Sequence, residues 1–180
     1  MDDQIHAQLV YSSARDFLLL ARKELDSFNE IAVKESDTPF IRRTKVRVLF
    51  AVIEAHVFHL QTITYAASKR NPKLFTDQES LLLQGLRRND KGELQNAKDQ
   101  LKKRIRFAFA AFSRALGKKH IVDFGTDGGQ RFASAITIRD RITHPKIVSS
   151  WTINDEDSKN IDAAWEWFEK HLAEVSKIDA

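Results

Sequence analysis

Two residues near the end of a predicted helix have side chains suited to phosphodiester chemistry. They are the arginine and the histidine of the segment Arg139-Asp140-Arg141-Ile142-Thr143-His144-Pro145. A histidine titrates near neutral pH and can move a proton, and an arginine offers a planar fork of donors to phosphate oxygens. The types of these residues therefore suggest a site that acts on a phosphodiester.

Whether these two side chains can act together depends on where the helix ends. On a continuous helix, five positions correspond to a rotation of about 140°, which is too far for one face. Pro145 disfavours helical geometry at His144, so the helix should stop there and the imidazole can turn back. A second interpretation stays open, in which Arg139 or Arg141 pairs with carboxylates of the last helix and His144 is a plain surface residue.

A second histidine pattern lies in the middle of the chain, where Glu54-Ala-His56-Val-Phe-His59 places two imidazoles one turn apart. They would hold a metal ion if another helix supplied a carboxylate. However, the pair flanks an apolar stripe beside Val52 and Ile63, and no second helix has a matching Glu-x-x-His pattern. We therefore expect neither a metal ion nor a cofactor.

The composition limits the possible classes of protein. The chain has 180 residues, 42% of them hydrophobic and 30% charged, with no cysteine and three prolines. This is typical of one globular domain, predicted here over residues 1–180, and it excludes disulfides and cysteine-based zinc sites. We found no nucleotide P-loop, dinucleotide fingerprint or zinc-protease motif. No uninterrupted apolar run has the length of a membrane span, so we expect a cytoplasmic protein with no membrane partner.

The spacing of apolar residues predicts helices almost throughout the chain and no β-strand. Leu9, Phe17, Leu20 and Phe28 are core candidates of the first helix. Thr38-Pro39 should open the second helix, Thr76 and Glu79 form a capping box before the third, and Gly117 should end the fourth. The predicted fold is an all-α, up-and-down antiparallel bundle of about five to six helices. Its longer predicted helices are Gln4–Val33, Pro39 to about Asn71, Leu94–Leu116, Gln130–Thr143 and Asp155–Lys177.

Charge is distributed unevenly along the chain. Between Arg87 and Lys119 there are eleven cations and three anions, whereas Asp155–Asp179 holds eight carboxylates and three lysines. The basic segment is suited to contact a phosphate backbone, and the acidic segment would repel one. An equal alternative is that both segments are solvated helix faces that partly neutralise each other. The predicted RNA-binding residues are Lys102, Arg106, Arg141 and Lys146.

The segment from Arg139 to His144 resembles the signature of the HEPN superfamily (higher eukaryotes and prokaryotes nucleotide-binding). In that family an arginine is followed by a polar residue, several further residues and a histidine near the end of a helix. Asp140 occupies the polar position, and a predicted amphipathic helix follows. The stretch from Arg114 to His120 fits a looser form of the pattern, but it has an alanine at the second position and is interrupted by Gly117.

The resemblance implies a metal-independent endoribonuclease, in which the ribose 2′-hydroxyl attacks the adjacent phosphate. His144 would act as general base or acid, Arg139 would stabilise the charged transition state, and Asp140 would orient one of them. Glu54 resembles an acidic position found near the motif in parts of the family. The tyrosine that follows the histidine in one toxin branch is missing here, since Pro145-Lys146-Ile147 stands in its place.

The resemblance also implies partners. Similar proteins are typically homodimers that act in toxin–antitoxin or phage-defence systems, so we expect RNA as substrate and an antitoxin or nucleotidyltransferase as a possible partner. Trp151, Trp165 and Trp167 are candidates for the dimer interface, with Trp165 the better core candidate. The alternative function is a non-catalytic module of the same fold that binds nucleotide, RNA or protein.

Overall fold

The computed structural model describes the backbone of residues 2–34 and 37–176, and the side chains of residue 12 and residues 15–34 and 37–176. This part of the chain belongs to the all-α class, as predicted. It contains six α-helices, α1 (Asp2–Lys34), α2 (Pro39–Ser68), α3 (Asp77–Leu83), α4 (Leu101–Ala115), α5 (Asp127–Thr143) and α6 (Asp155–Ser176). Two short antiparallel strands, β1 (Leu86–Arg88) and β2 (Leu94–Asn96), and 3₁₀ turns at Pro72–Leu74 and Val148–Trp151 complete it.

The backbone groups into two compact units, each assembled from separate stretches of chain. We call the first the hairpin unit, because it contains both strands; it comprises the residues up to Leu19 together with Glu54–Val122. The second, the motif unit, comprises Leu20–Ile53 and the residues from Asp123 onward. The Arg139–His144 segment lies in the motif unit.

In the hairpin unit, apolar faces of α2 and α4 are buried. Val57, Leu60 and Thr64 continue the predicted stripe of α2 and are all at most 5% exposed. Ile105 and Phe109 of α4 are fully buried. The predicted capping box opens α3, since the Thr76 hydroxyl accepts from the Glu79 amide and the Glu79 carboxylate accepts from the Thr76 amide.

The β-hairpin corrects two sequence-based expectations. We predicted no strand and placed Leu94 on the stripe of the fourth helix, but Leu94 pairs with Arg88 in the hairpin and is 55% exposed. The cause is the turn at Asn89–Gly92, where the Asn89 side-chain oxygen accepts from the amides of Lys91 and Glu93. Gly92 adopts φ +79, which suits a glycine. The fourth helix therefore begins only at Leu101.

The core of the motif unit is a cluster of aromatic rings around Phe132 of α5. The Phe132 side chain is fully buried, and its ring centroid lies 5.1 Å from that of Trp167 and 6.2 Å from that of Phe168 on α6. Phe50 of α2 and Phe124 complete the cluster at 6.1 and 5.9 Å. Edge-on and offset contacts at these distances are favourable for aromatic rings. This cluster fixes α5 against α2 and α6 within the unit.

Several predicted core residues lie elsewhere. Phe17 and Leu20 of α1 are 44% and 54% exposed, whereas Phe28 is buried as predicted. The side chain of Leu9 lies outside the described residues. On α6 the core position belongs to Trp167, which is 9% exposed, and Trp165 is only half-buried. Phe168, the next residue, is fully buried and also faces Phe132.

Helix α2 is the one helix, among the described residues, that is long and apolar enough to cross a membrane by length and composition. An 18-residue window within it has a mean hydropathy of 1.3, and 44% of that window is buried. The core helix of a soluble protein passes the same test. Val46, Ile53 and Val57 of this helix are fully buried, whereas Phe58 is 56% exposed.

His59 of the predicted histidine pair lies between two aromatic rings in the hairpin unit. Its ring centroid is 4.5 Å from that of Phe17 and 5.3 Å from that of Phe58. Its buried Nδ1 finds no hydrogen-bond partner among the residues that the structure describes. Burial, and then the neighbouring His56, lower the pKa of His59 below its usual value of 6.5. The folded chain therefore favours the neutral imidazole.

This lowered pKa predicts a loss of stability in mild acid. As the pH falls below about 6.5, the unfolded chain binds a proton at His59 before the folded chain does, so the free energy of unfolding should decrease. Urea unfolding at about pH 7.5 and about pH 5 measures the decrease. The His59→Phe protein keeps an aromatic ring and should lose less stability over the same interval. An equal loss in both proteins would contradict this role of His59.

Candidate functional site

The end of α5 positions the predicted motif. The helix ends at Thr143, and His144 is its C-terminal cap with φ −124 and ψ 63, as the following Pro145 predicted. The His144 amide still donates to the Asp140 carbonyl oxygen at 3.0 Å, so His144 stays attached to the last helical turn. Its side chain is exposed and, within the described part of the chain, makes no hydrogen bond or ion pair. The imidazole is thus accessible to a substrate.

Arg139 lies one turn before the end of the helix and is held in place. Its Nη1 donates to the Asp140 carboxylate at 2.7 Å, and its Cζ lies 5.6 Å from the centre of the Phe50 ring. The Arg139 side chain is 29% exposed and that of Asp140 is 54% exposed. A guanidinium stacked on a ring and oriented by a carboxylate is well placed to receive an anion. Of the two residues that Asp140 was expected to orient, its carboxylate contacts Arg139.

Arg141 takes the alternative role considered from the sequence, an ion pair with the last helix. Its Nη2 donates to the Asp157 carboxylate at 2.7 Å and to the Thr152 carbonyl oxygen at 2.9 Å. Asp157 also forms a reciprocal cap with Asn154 at the start of α6. Arg141 therefore connects the end of α5 to the start of α6, although we had assigned it to RNA binding.

The beginning of α2 adds cations that our sequence analysis did not single out. Arg42, Arg43, Lys45 and Arg47 fall within six residues, and the helix has no acidic residue before Glu54. The run was a visible signal, but we considered only the apolar stripe that passes through it. Arg47 is exposed and, among the described residues, forms no ion pair.

Arg43 and Trp151 form a polar and aromatic contact within the motif unit. The Arg43 Cζ lies 5.1 Å from the centre of the Trp151 ring, and its Nη1 donates to the Trp151 carbonyl oxygen at 3.3 Å. Trp151 is 46% exposed. Arg43, Arg47 and Phe50 are four and three positions apart and share one face of α2. Because Arg139 of the motif stacks on Phe50, the motif lies next to this face of α2.

The remaining predicted residues are distributed between the two units. Lys102 and Arg106 lie on α4, and Glu54 lies on α2, all in the hairpin unit. Arg106 is exposed, whereas Lys102 and Glu54 are half-buried. Lys146 follows Pro145 in the motif unit and is exposed. The motif unit thus contains Arg139, Asp140, His144 and Lys146.

Comparison with protein-family models, with curated proteins and with solved structures gave no match.

Two of the arginines of α5, Arg141 and Arg131, should differ in their contribution to stability. Arg141→Ala should lower the free energy of unfolding by about 1–2 kcal/mol, because it leaves the largely buried Asp157 carboxylate with less compensation. Arg131 pairs with Asp127, which is 84% exposed, so Arg131→Ala should change stability by less than about 0.5 kcal/mol. Chemical denaturation measures both values. Equal effects of the two substitutions would contradict the connecting role of Arg141.

Proposed function

We propose that this protein cleaves RNA without a metal ion, through Arg139, Asp140 and His144. The observation that carries the proposal is the geometry at the end of α5, where an exposed imidazole follows a guanidinium that is oriented by a carboxylate. The resemblance of the segment to the HEPN signature supports the same function. The basic charge of the protein, formally +4, is compatible with a polyanionic substrate.

In the proposed reaction the ribose 2′-hydroxyl attacks the adjacent phosphorus atom. As a base, His144 removes the proton of this hydroxyl and water protonates the departing 5′-oxygen; as an acid, it protonates that oxygen and water accepts the hydroxyl proton. In both cases the bond from phosphorus to the 5′-oxygen breaks. Arg139 donates to the non-bridging oxygens, on which negative charge accumulates in the transition state. Asp140 holds the guanidinium in position. The products are a 2′,3′-cyclic phosphate and a 5′-hydroxyl end.

Other residues of the motif unit would contact the substrate outside the reacting phosphate. Arg47 and Lys146 are exposed cations that fit neighbouring phosphates. Trp151 exposes part of a ring against which Arg43 is stacked, and such a ring can receive an unpaired base. The substrate class that fits this arrangement is single-stranded RNA.

The proposal predicts a loss of cleavage when either side chain is removed. His144→Ala and Arg139→Ala should each reduce the rate of RNA cleavage by about 100-fold or more. Both side chains are at least partly exposed, so circular dichroism and the unfolding midpoint should change little. Gel analysis of a labelled oligoribonucleotide measures the rate. Cleavage should persist in EDTA, leave a cyclic phosphate and spare DNA.

Arg131→Ala is the matched control for Arg139→Ala, because it removes an arginine from the same helix at a distance from the motif. It should cleave RNA at the wild-type rate. Wild-type cleavage by the His144→Ala protein would reject the mechanism. RNA binding by a wild-type protein that never cleaves would instead support the alternative function, a non-catalytic binding module.

We extend the proposal to a homodimer, which would bring two copies of the motif together. Ile147 and Val148 follow the motif and are 67% and 94% exposed, so this segment has apolar surface to bury. Light scattering should give a particle of about twice 20.7 kDa at micromolar concentration. The Val148→Asp protein should shift toward the monomer. A monomeric wild-type protein would contradict this part of the proposal.

A further inference from the structure

A large open cavity lies within the hairpin unit. Its volume is about 1210 Å³, and its walls come from the second half of α2, from α3, from the hairpin and from the first two turns of α4. Pockets for small ligands usually measure about 300–1,000 Å³. This cavity therefore has room for a ligand larger than a single small molecule. None of the residues assigned above to RNA cleavage lines it.

Three aromatic side chains line the cavity. Phe58 and Tyr65 lie seven positions apart on α2 and so share a face of that helix, and Phe107 comes from α4. Phe58 is 56% exposed, although its ring centroid lies 5.3 Å from that of His59 in a T-shaped arrangement. A phenylalanine ring that is open on the side of a cavity offers a flat apolar surface. Such a ring can stack against a planar ligand.

The charged part of the lining is mainly cationic. Four cations, Arg87, Arg88, Lys103 and Arg104, line the cavity together with two carboxylates, Asp77 and Asp99. Arg88 is fixed by donating to the Gly92 carbonyl oxygen of the hairpin turn at 2.8 Å. The side chains of the other three cations make no ion pair among the described residues. The excess of positive charge is thus available to an anionic ligand.

The lining also contains groups that can form hydrogen bonds with a ligand. Gln61 is 7% exposed and donates through Nε2 to the Leu82 carbonyl oxygen at 3.2 Å, which fixes its amide in the cavity wall. Thr62 lines the cavity on the same helix. Rings, cations and amide groups together are the lining that a nucleotide requires. Its base stacks, its phosphate pairs with cations, and its polar edge forms hydrogen bonds.

We infer that this cavity binds a segment of single-stranded nucleic acid. Bases stack on Phe58, Tyr65 or Phe107, and the phosphates between them pair with Arg87, Lys103 and Arg104. Two observations favour a polymer over a free nucleotide: the volume exceeds that of usual small-ligand pockets, and the cations occur on both the hairpin and α4. The cavity lies outside the proposed cleavage site, so this inference does not depend on the proposed function.

The test uses a fluorescent oligodeoxythymidine of about eight nucleotides, a length within the usual site size of such grooves. The proposed cleavage reaction cannot cut this probe, because it has no 2′-hydroxyl. Fluorescence anisotropy with the full chain should show binding that weakens as salt is added. Phe58→Ala should weaken binding roughly 5- to 100-fold, the range for loss of one stacked base. Phe58→Trp keeps an aromatic ring and should retain affinity.

Charge and position are tested by a second pair of variants. Arg104→Ala should lower the slope of log Kd against log salt by about one, as expected for the loss of one phosphate contact. Arg70→Ala is the matched control, because it removes an exposed arginine of the same unit that does not line the cavity. It should leave the slope and the affinity nearly unchanged.

The outcomes separate the possible ligands. Wild-type affinity in both the Phe58→Ala and Arg104→Ala proteins would overturn the inference, whether or not RNA is cleaved. Displacement of the probe by deoxythymidine monophosphate at concentrations near the Kd of the probe would overturn the inference of a polymeric ligand. It would show that the cavity binds a free nucleotide instead. Loss of binding in the Phe58→Trp protein would also overturn the stacking role, provided that circular dichroism shows that this protein is folded.

Discussion

The first turn of α5 lies so close to its neighbours that two of its positions require glycine. A Cβ atom at Gly128 would lie 2.5 Å from Cδ1 of Trp167, and one at Gly129 would lie 2.5 Å from the backbone of Phe124. Thr126 caps this turn by accepting from the Gly129 amide. The close approach of Gly128 to Trp167 packs α5 against α6, and Phe132 then lies in the aromatic cluster. The position of this turn also sets where Arg139 and His144 lie, about three and four helical turns later.

Features that depend on local sequence were predictable. The starts of α2, α3 and α6 and the end of α5 follow from prolines and capping residues whose effects extend over a few positions. The start of α5 was placed three residues too late, at Gln130, because Gly128 and Gly129 are poor helix formers in isolation, yet both belong to its first turn. The hairpin was missed because its strands have only three residues each, too few to show an alternating pattern.

The candidate site was predictable only where its residues are close together in the sequence. Arg139, Asp140 and His144 occupy a single helix end, so their relation could be worked out from spacing and from Pro145. The contact between Arg43 and Trp151 joins residues more than a hundred positions apart, and nothing in either segment identifies its partner. The cavity lining likewise combines α2 with the hairpin and α4. Family membership, the homodimer, the antitoxin or nucleotidyltransferase partner and the cytoplasmic location stay predictions.

The hairpin has a further consequence for how the protein behaves in a crowded solution. A sheet of two strands has an open hydrogen-bonding edge on each side, and such edges can recruit strands of other chains. Here each strand is three residues long, so an incoming chain would gain few backbone hydrogen bonds. The consecutive arginines Arg87 and Arg88 would also repel a second copy of the same strand. Short length and like charge thus protect this exposed sheet against aggregation.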